Sequence, residues 1–354
     1  LAGGLKFKTP FGTLYSTNIT SDRQHGIGDW SFEDFHRAMK HGVRPDGEHL
    51  YPASPYTSFA KRSDTDIASI YAYLKTVKPV AQANRVNAMP FPFGNRDLLH
   101  FWKRMFHDDS AFSPDEAKSP QWNRGAYLVD GITHCGACHT PRNLLGGAKN
   151  GLALEGGVYT DQVANGSYRL WSTADLTPGV DGLAKWTGKD IADYLLTGKN
   201  AHTIIHGPMA EVFASTQKLR PDDARAIGTY LTGIEPSTER VDLSLLRPRV
   251  DEGELIYTVH CGTCHLPDGK GDEILGVSLR NNPLVGTEDP ATLINVILYG
   301  PDLPPPPFVS NRTKMKPFGK RLSDEDVAAV ATYLRSSFGN NASAVSPGDV
   351  ARQR

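Results

Sequence analysis

Cys135-Gly136-Ala137-Cys138-His139 and Cys261-Gly262-Thr263-Cys264-His265 hold all four cysteines of this 354-residue chain. Each is a C-x-x-C-H string, the pattern of covalent c-type haem attachment. The spacing has a chemical reason. Two thiols one helical turn apart can each add across one vinyl group of the same porphyrin, and the histidine that follows sets an imidazole under the iron as proximal ligand. The alternatives account for less. A zinc ribbon brings its two C-x-x-C knuckles within about 15–20 residues of each other, whereas Cys138 and Cys261 are more than a hundred residues apart. A disulfide inside either string closes a tight, strained loop. A thioredoxin-type dithiol needs a βαβ context, and the flanks here read as helix and loop.

Outward from these strings, composition narrows the class. Lysine plus arginine number 38 and aspartate plus glutamate 39, a balance that argues against nucleic acid as a partner. No stretch reaches the ~18 apolar residues of a membrane-spanning helix. The chain opens at Leu1 without a methionine or a signal peptide, so either a signal has been removed or the N-terminus is incomplete. With 34 glycines and 25 prolines and few β-branched alternations, short helices joined by long ordered loops are expected.

The chain repeats itself, which is the strongest guide to its organisation. The segment from Ser63 to Leu74 returns from Pro221 to Leu231 and again from Ser323 to Leu334. Each opens with a capping residue and acidic groups in the first turn. Each then sets apolar residues at i, i+3 and i+7, the stripe of an amphipathic helix. A second segment precedes each of these, from Trp30 to Gly42, Trp186 to Gly198 and Asp289 to Gly300, and reads as a helix ended by glycine. A third, Trp122 to Val129 and Glu252 to Tyr257, runs into each haem string. Gly125 and Gly253, near the start of these helices, are placed to let the closing helix cross closely, near Tyr230 and Tyr333. The units read as 1–118, 119–238 and 239–354, each a small helical domain with the haem as main apolar core.

Haem iron in electron-transfer domains is commonly held by His on one side and Met on the other, the thioether raising the potential. The chain has five methionines. Met209, in Gly207-Pro208-Met209-Ala210, and Met315, in Lys314-Met315-Lys316-Pro317, fall between the middle and closing helices of the second and third units. Nearby prolines stiffen both loops, so Met209 and Met315 are the expected distal ligands. Met39 and Met105 read as core fillers. The first unit has no C-x-x-C-H, and reads Tyr51-Pro52-Ala53-Ser54-Pro55-Tyr56 where the methionine loops fall. It is not expected to hold a covalent haem in the chain as given.

These residues resemble the three-domain cytochrome c subunit of bacterial periplasmic dehydrogenase complexes. The resemblance runs through Ala2-Gly3-Gly4, Phe11 to Thr20, Gly26-Ile27-Gly28 and Leu50-Tyr51-Pro52. It continues through Trp122 to Val129, His134 to Arg142, Cys261 to His265 and Tyr333 to Gly339. It implies an all-α fold of tandem class I cytochrome c-like domains with long ordered loops. It implies two covalent haems c on Cys135, Cys138, His139 and Met209, and on Cys261, Cys264, His265 and Met315. In that family a further C-x-x-C-H lies just before the position of Ala2, so a third haem is implied if an N-terminal segment is missing. Ser54 departs from the Ala-Met-Pro-Tyr form of the alcohol and sugar branch and points toward the branch paired with molybdenum hydroxylases, leaving both open.

The expected function is electron transfer, from a catalytic dehydrogenase subunit to a quinone or a soluble acceptor, at the periplasmic face of the cytoplasmic membrane. No residue need act as a general base. A dihaem enzyme such as a peroxidase needs an open sixth position, against which two placed methionines argue; a haem-based sensor with releasable methionine is the other alternative. The aromatic segment Asp97 to Phe106 reads as a linker helix packed between the first two units, with peripheral membrane contact as the alternative. Arg312, Lys314, Lys316, Lys320 and Arg321 read either as scattered loop charges or as a basic rim near Met315 that steers an acidic redox partner.

Overall fold

The computed structural model describes residues 1–162, 168–179, 182–236, 251–304 and 314–354. The chain packs as two compact units, one of residues 1–116 and 127–137, the other of residues 117–126 and 138–354. The boundary expected near 238 lies outside the described residues.

The first unit starts with an antiparallel hairpin, β1 (Lys6–Thr9) and β2 (Gly12–Tyr15). Helix α1 (Phe32–His41) follows, started by a capping box of Ser31 and Asp34 and ended by Gly42 in the left-handed region at φ 58°. After the short α2 (Tyr56–Phe59) comes α3 (Asp64–Thr76), capped by Ser63. Phe35, Ile67 and Leu74 join across α1 and α3 in the core. Helix α4 (Leu98–Phe106) buries no residue: Leu98, Phe101 and Met105 are exposed, Met105 included despite its core reading. Its polar side holds it instead. Lys103 Nζ donates to the carbonyls of His41 and Gly42, both at 2.6 Å. Those are the end carbonyls of α1, which have no intrahelical partner.

Segment 127–137 belongs to this unit. The chain leaves α5 (Pro120–Tyr127) through a π-type turn in which Thr133 N bonds Leu128 O at 2.7 Å. Such a turn frees carbonyls, and the buried Arg62 takes two of them, Gly131 O and Ile132 O, both at 3.2 Å.

The short α6 (Gly136–His139) leads into the larger unit, which holds the hairpin β3 (Glu155–Gln162) and β4 (Tyr168–Asp175), and helices α7 (Gly188–Thr197), α8 (Met209–Thr216) and α9 (Pro221–Leu231). Then come α10 (Asp251–His260), α11 (Gly262–His265), α12 (Ala291–Tyr299), α13 (Asp324–Ser336) and α14 (Pro347–Ala351). The chain is mostly helical, but the two hairpins were not part of the all-α expectation. Strand β4 shows why they escape a period-2 search: Trp171 and Ser172 are adjacent and both buried, because the strand is covered on both faces.

Both pre-haem helices cross a closing helix at a glycine, as the sequence predicts. A Cβ on Gly125 would stand 2.0 Å from Ala226 O and 2.7 Å from Tyr230 Cβ; on Gly253 it would stand 2.2 Å from Ala329 O and 2.7 Å from Tyr333 Cβ. Only a residue without a Cβ permits these approaches. Around the α10–α13 crossing lies an extensive core, including Leu293, Ile294, Leu298, Val327 and Val330. Arg335, fully buried, donates to the carbonyls of Ser343, Val285 and Thr287 at 2.7–2.9 Å and ties the loops beside α13 together.

Candidate haem sites

Each C-x-x-C-H string forms a single helical turn. Cys135 immediately precedes α6, which carries Cys138 and His139; Cys261 caps α11, which carries Cys264 and His265. None of the four cysteines is in a disulfide, all are partly buried, and Thr133 Oγ1 lies 3.3 Å from Cys135 Sγ. Burial pushes the Cys138 thiol up and Cys261 up to about 11, so both are held in the protonated form.

The two histidines are oriented alike. His139 Nδ1 is 2.8 Å from Ala174 O, and His265 Nδ1 is 2.8 Å from Val277 O. A carbonyl can only accept, so Nδ1 carries the proton and Nε2 keeps its lone pair, the atom that binds iron. Burial lowers the pKa of both imidazoles, favouring the neutral form a metal takes.

Each turn also lies in a glycine cradle. A Cβ on Gly157 would stand 2.7 Å from Cys138 O, and one on Gly276 would stand 2.9 Å from Cys264 O and 3.2 Å from His265 Nδ1. Thr173 Oγ1 donates to Cys138 O at 2.9 Å. Sequence reading missed these glycines. Gly157 follows Cys138 by nineteen positions and Gly276 follows Cys264 by twelve, so no fixed spacing marks them.

Met209 opens α8 directly behind Pro208 and is half-buried. The preceding Gly207 has φ 59° and packs on the ring of Trp171, where a Cβ would come within 2.9 Å. Strand β4 therefore touches both sides of the first site: Ala174 O holds His139, and Trp171 backs the methionine loop. Trp171 Nε1 is buried with no protein acceptor, which fits an added group bringing acceptors of its own, as the haem carboxylates do. Met315, also half-buried, lies along α12: Phe318 N bonds Ile297 O at 3.0 Å, and Met315 O sits 3.1 Å from the Cβ position of Gly300. Arg312 falls, with the rest of 305–313, outside the described residues.

Two such turns, each with an oriented imidazole and a glycine cradle, define a c-type cytochrome. The family of cbb3-type cytochrome c oxidase subunit III matches residues 248–334. A nicotinate dehydrogenase subunit of Pseudomonas putida is 41% identical over 95% of the chain, which spans only 28% of that protein. The cytochrome c subunit of the quinone alcohol dehydrogenase of Gluconobacter oxydans is 38% identical over the whole chain, which spans 77% of it. The gluconate 2-dehydrogenase cytochrome c subunit of Pantoea cypripedii is 38% identical, with 83% of its length spanned. The chain belongs to this family of dehydrogenase cytochrome c subunits: it is an electron-transfer subunit, not itself the catalyst.

Proposed function

We propose that the chain carries two covalent haems c and relays electrons from a catalytic dehydrogenase subunit to a quinone or a soluble acceptor. The observation that carries this reading is the paired orientation of His139 and His265, each tied at Nδ1 to a backbone carbonyl so that Nε2 is free for iron. Cys135 and Cys138 would hold one haem by thioethers, with His139 and Met209 as axial ligands. Cys261, Cys264, His265 and Met315 would do the same for the other. A bound haem supplies a one-electron couple whose potential follows its axial ligands. The protein fixes those ligands and excludes water by burial, and no residue need act as a general base.

Three cytochrome-type repeats, 1–118, 119–238 and 239–354, support this organisation, with the first lacking a haem string of its own. The names of the relatives favour a dehydrogenase partner. The family resemblance favours a periplasmic location on the outer face of the cytoplasmic membrane. No helix among the described residues is long and apolar enough to cross a membrane.

A pyridine haemochrome assay on this chain tests the haem count, with two haems per polypeptide expected; a value of one sinks one of the motifs. Replacing Met209 or Met315 by Ala should remove the corresponding sulfur-to-iron charge-transfer band and lower that haem's potential. Retention of the full band in both variants overturns the axial assignment.

A further inference from the structure

We propose that Arg169 is a positioning residue for Met209, acting through a clasp between β4 and the corner that follows α12. The inference rests on the reading of Met209 as an axial ligand.

Arg169 lies on β4 with its side chain only 16% exposed. Its guanidinium carbon sits 3.6 Å from the centre of the Tyr299 ring, and Nη1 is 3.6 Å from Asp302 Oδ2. The planar cation is thus stacked on one face and paired at its edge, an arrangement a lysine cannot copy. The residue it pins matters: the backbone oxygen of Asp302 accepts from Gly207 N at 2.7 Å. Gly207 is then held on three sides. Its N–H goes to Asp302, its carbonyl accepts from Ala210 N at 2.9 Å, and its α-carbon rests on Trp171. Trp171 is two residues from Arg169 along β4, so both side chains leave the same face of the strand. Pro208 then passes this fixed position straight to Met209.

The rest of β4 is anchored independently. Asn295 Nδ2 donates to Leu170 O at 2.7 Å, and Thr292 Oγ1 donates to Ser172 O at 2.6 Å. Removing Arg169 therefore leaves the strand bound to α12 and Tyr299 held by its hydroxyl, which donates to Gln353 O at 2.6 Å, and frees the Asp302 end of the corner. A loosened corner lets Gly207 move, and the methionine sulfur yields the iron more readily to a competing ligand. Among the described residues, the other methionine loop meets the same corner only through Gly300, whose Cβ position is 3.1 Å from Met315 O, so the Met315 haem is the comparison at which a smaller change is expected.

The test is imidazole binding to the ferric, fully haem-loaded chain. Met209→Ala and Met315→Ala spectra assign which haem responds. Arg169→Gln should tighten imidazole binding about tenfold at the Met209 haem, equivalent to about 1.4 kcal/mol, and change the Met315 haem less. Arg169→Lys should fall between the two. Should Arg169→Gln fold poorly, Asp302→Asn removes the ion pair while the Tyr299 hydroxyl keeps its bond to Gln353 O, and should shift affinity in the same direction. Unchanged affinity at the Met209 haem, or equal loosening of both haems, overturns the clasp. If Met209→Ala itself keeps its charge-transfer band, the axial reading falls and the clasp falls with it. If that band is lost while Arg169→Gln binds imidazole as wild type does, only the clasp falls.

Discussion

Residues 30–56 of the smaller unit and 186–209 of the larger follow one course to different ends. Both start at a tryptophan, and both open a helix with a capping box, Ser31 with Asp34 and Thr187 with Asp190. Both close that helix on a left-handed glycine, Gly42 at φ 58° and Gly198 at φ 73°. Both then turn back: Leu50 N bonds Gly42 O at 2.8 Å, and Ile205 N bonds Gly198 O at 2.7 Å. There the paths part. The larger unit proceeds through Gly207 and Pro208 to Met209. The smaller has Ser54 at the matching place and then buries Tyr56 completely, its ring carbons 2.7–2.8 Å from where a Cβ of Gly42 would stand. Capping bonds and a returning backbone bond set this course, and neither needs iron. Whether a methionine or a serine stands at the end of it is decided by the few residues after them.

The sharpest way to break this comparison is at Tyr56. Its ring meets His107 edge-on at 5.1 Å and carries Lys103 Nζ at 5.0 Å. Tyr56→Ala should destabilise the smaller unit by about 3–5 kcal/mol, the range for emptying a buried aromatic site. Tyr56→Phe should be near neutral, because the hydroxyl is buried with no partner to lose. Denaturant titration of both variants checks the pair. A Phe variant as damaged as the Ala one would show that the hydroxyl, and not the ring, holds the loop.

Next in size is the helix crossing that the larger unit makes twice. Gly125→Val and Gly253→Val each drive a branched side chain into a backbone carbonyl, at Ala226 and Ala329. Each should cost about 1–3 kcal/mol by overpacking. Thermal melts read the effect, and unchanged melting temperatures would show that the helices can separate without loss.

These glycines were legible because a repeat exposes them: the same residue falls at the same place before each C-x-x-C-H string. The closing helices, the caps of two of them at Ser63 and Ser323, and the haem strings were legible for the same reason, since each is a local pattern of chemistry at fixed spacing; α9 instead starts on Pro221 with no side-chain cap. The hairpin β3–β4 was not, because its strand is buried on both faces and so lacks alternation. Gly157 and Gly276 reach their cysteines at unequal sequence distances. Nothing in the sequence marks Arg62 or Arg169 until the fold supplies Gly131 O and Ile132 O for one, and Tyr299 and Asp302 for the other. The linker reading of Asp97 to Phe106 missed that α4 attaches by its polar side and leaves Leu98, Phe101 and Met105 exposed.

That attachment gives the smaller unit a pH dependence of its own. Burial pushes Lys103 down from 10.5 to about 8, while its ammonium bonds two helix-end carbonyls and lies 2.8 Å from His49 Nδ1. The unfolded chain then binds more protons between about pH 8 and 10.5, so this group makes stability rise with pH across that window. Below pH 8 the residue is charged in both states and the slope vanishes. Lys103→Met should remove the rise. Denaturation midpoints of wild type and variant at pH 7.5, 9 and 10.5 check it, and parallel pH curves would show that Lys103 titrates as a free lysine.

The smallest expected effect concerns the surface near Met315, which has no matching basic cluster near Met209. Lys314, Lys316, Lys320 and Arg321 are exposed, and the segment bearing the first two leads directly into the loop packed along α12. Exposed charges of one sign add little to stability but set up a field that speeds the approach of an oppositely charged partner and is screened over about 10 Å at 0.1 M salt. If this rim steers an acidic acceptor or donor, a Lys314→Gln, Lys316→Gln, Lys320→Gln variant should exchange electrons with it roughly tenfold more slowly at low ionic strength. The two proteins should converge at high salt, with fold and both charge-transfer bands unaltered. Coincident salt curves for wild type and variant would assign docking elsewhere and leave these residues as a solvated loop.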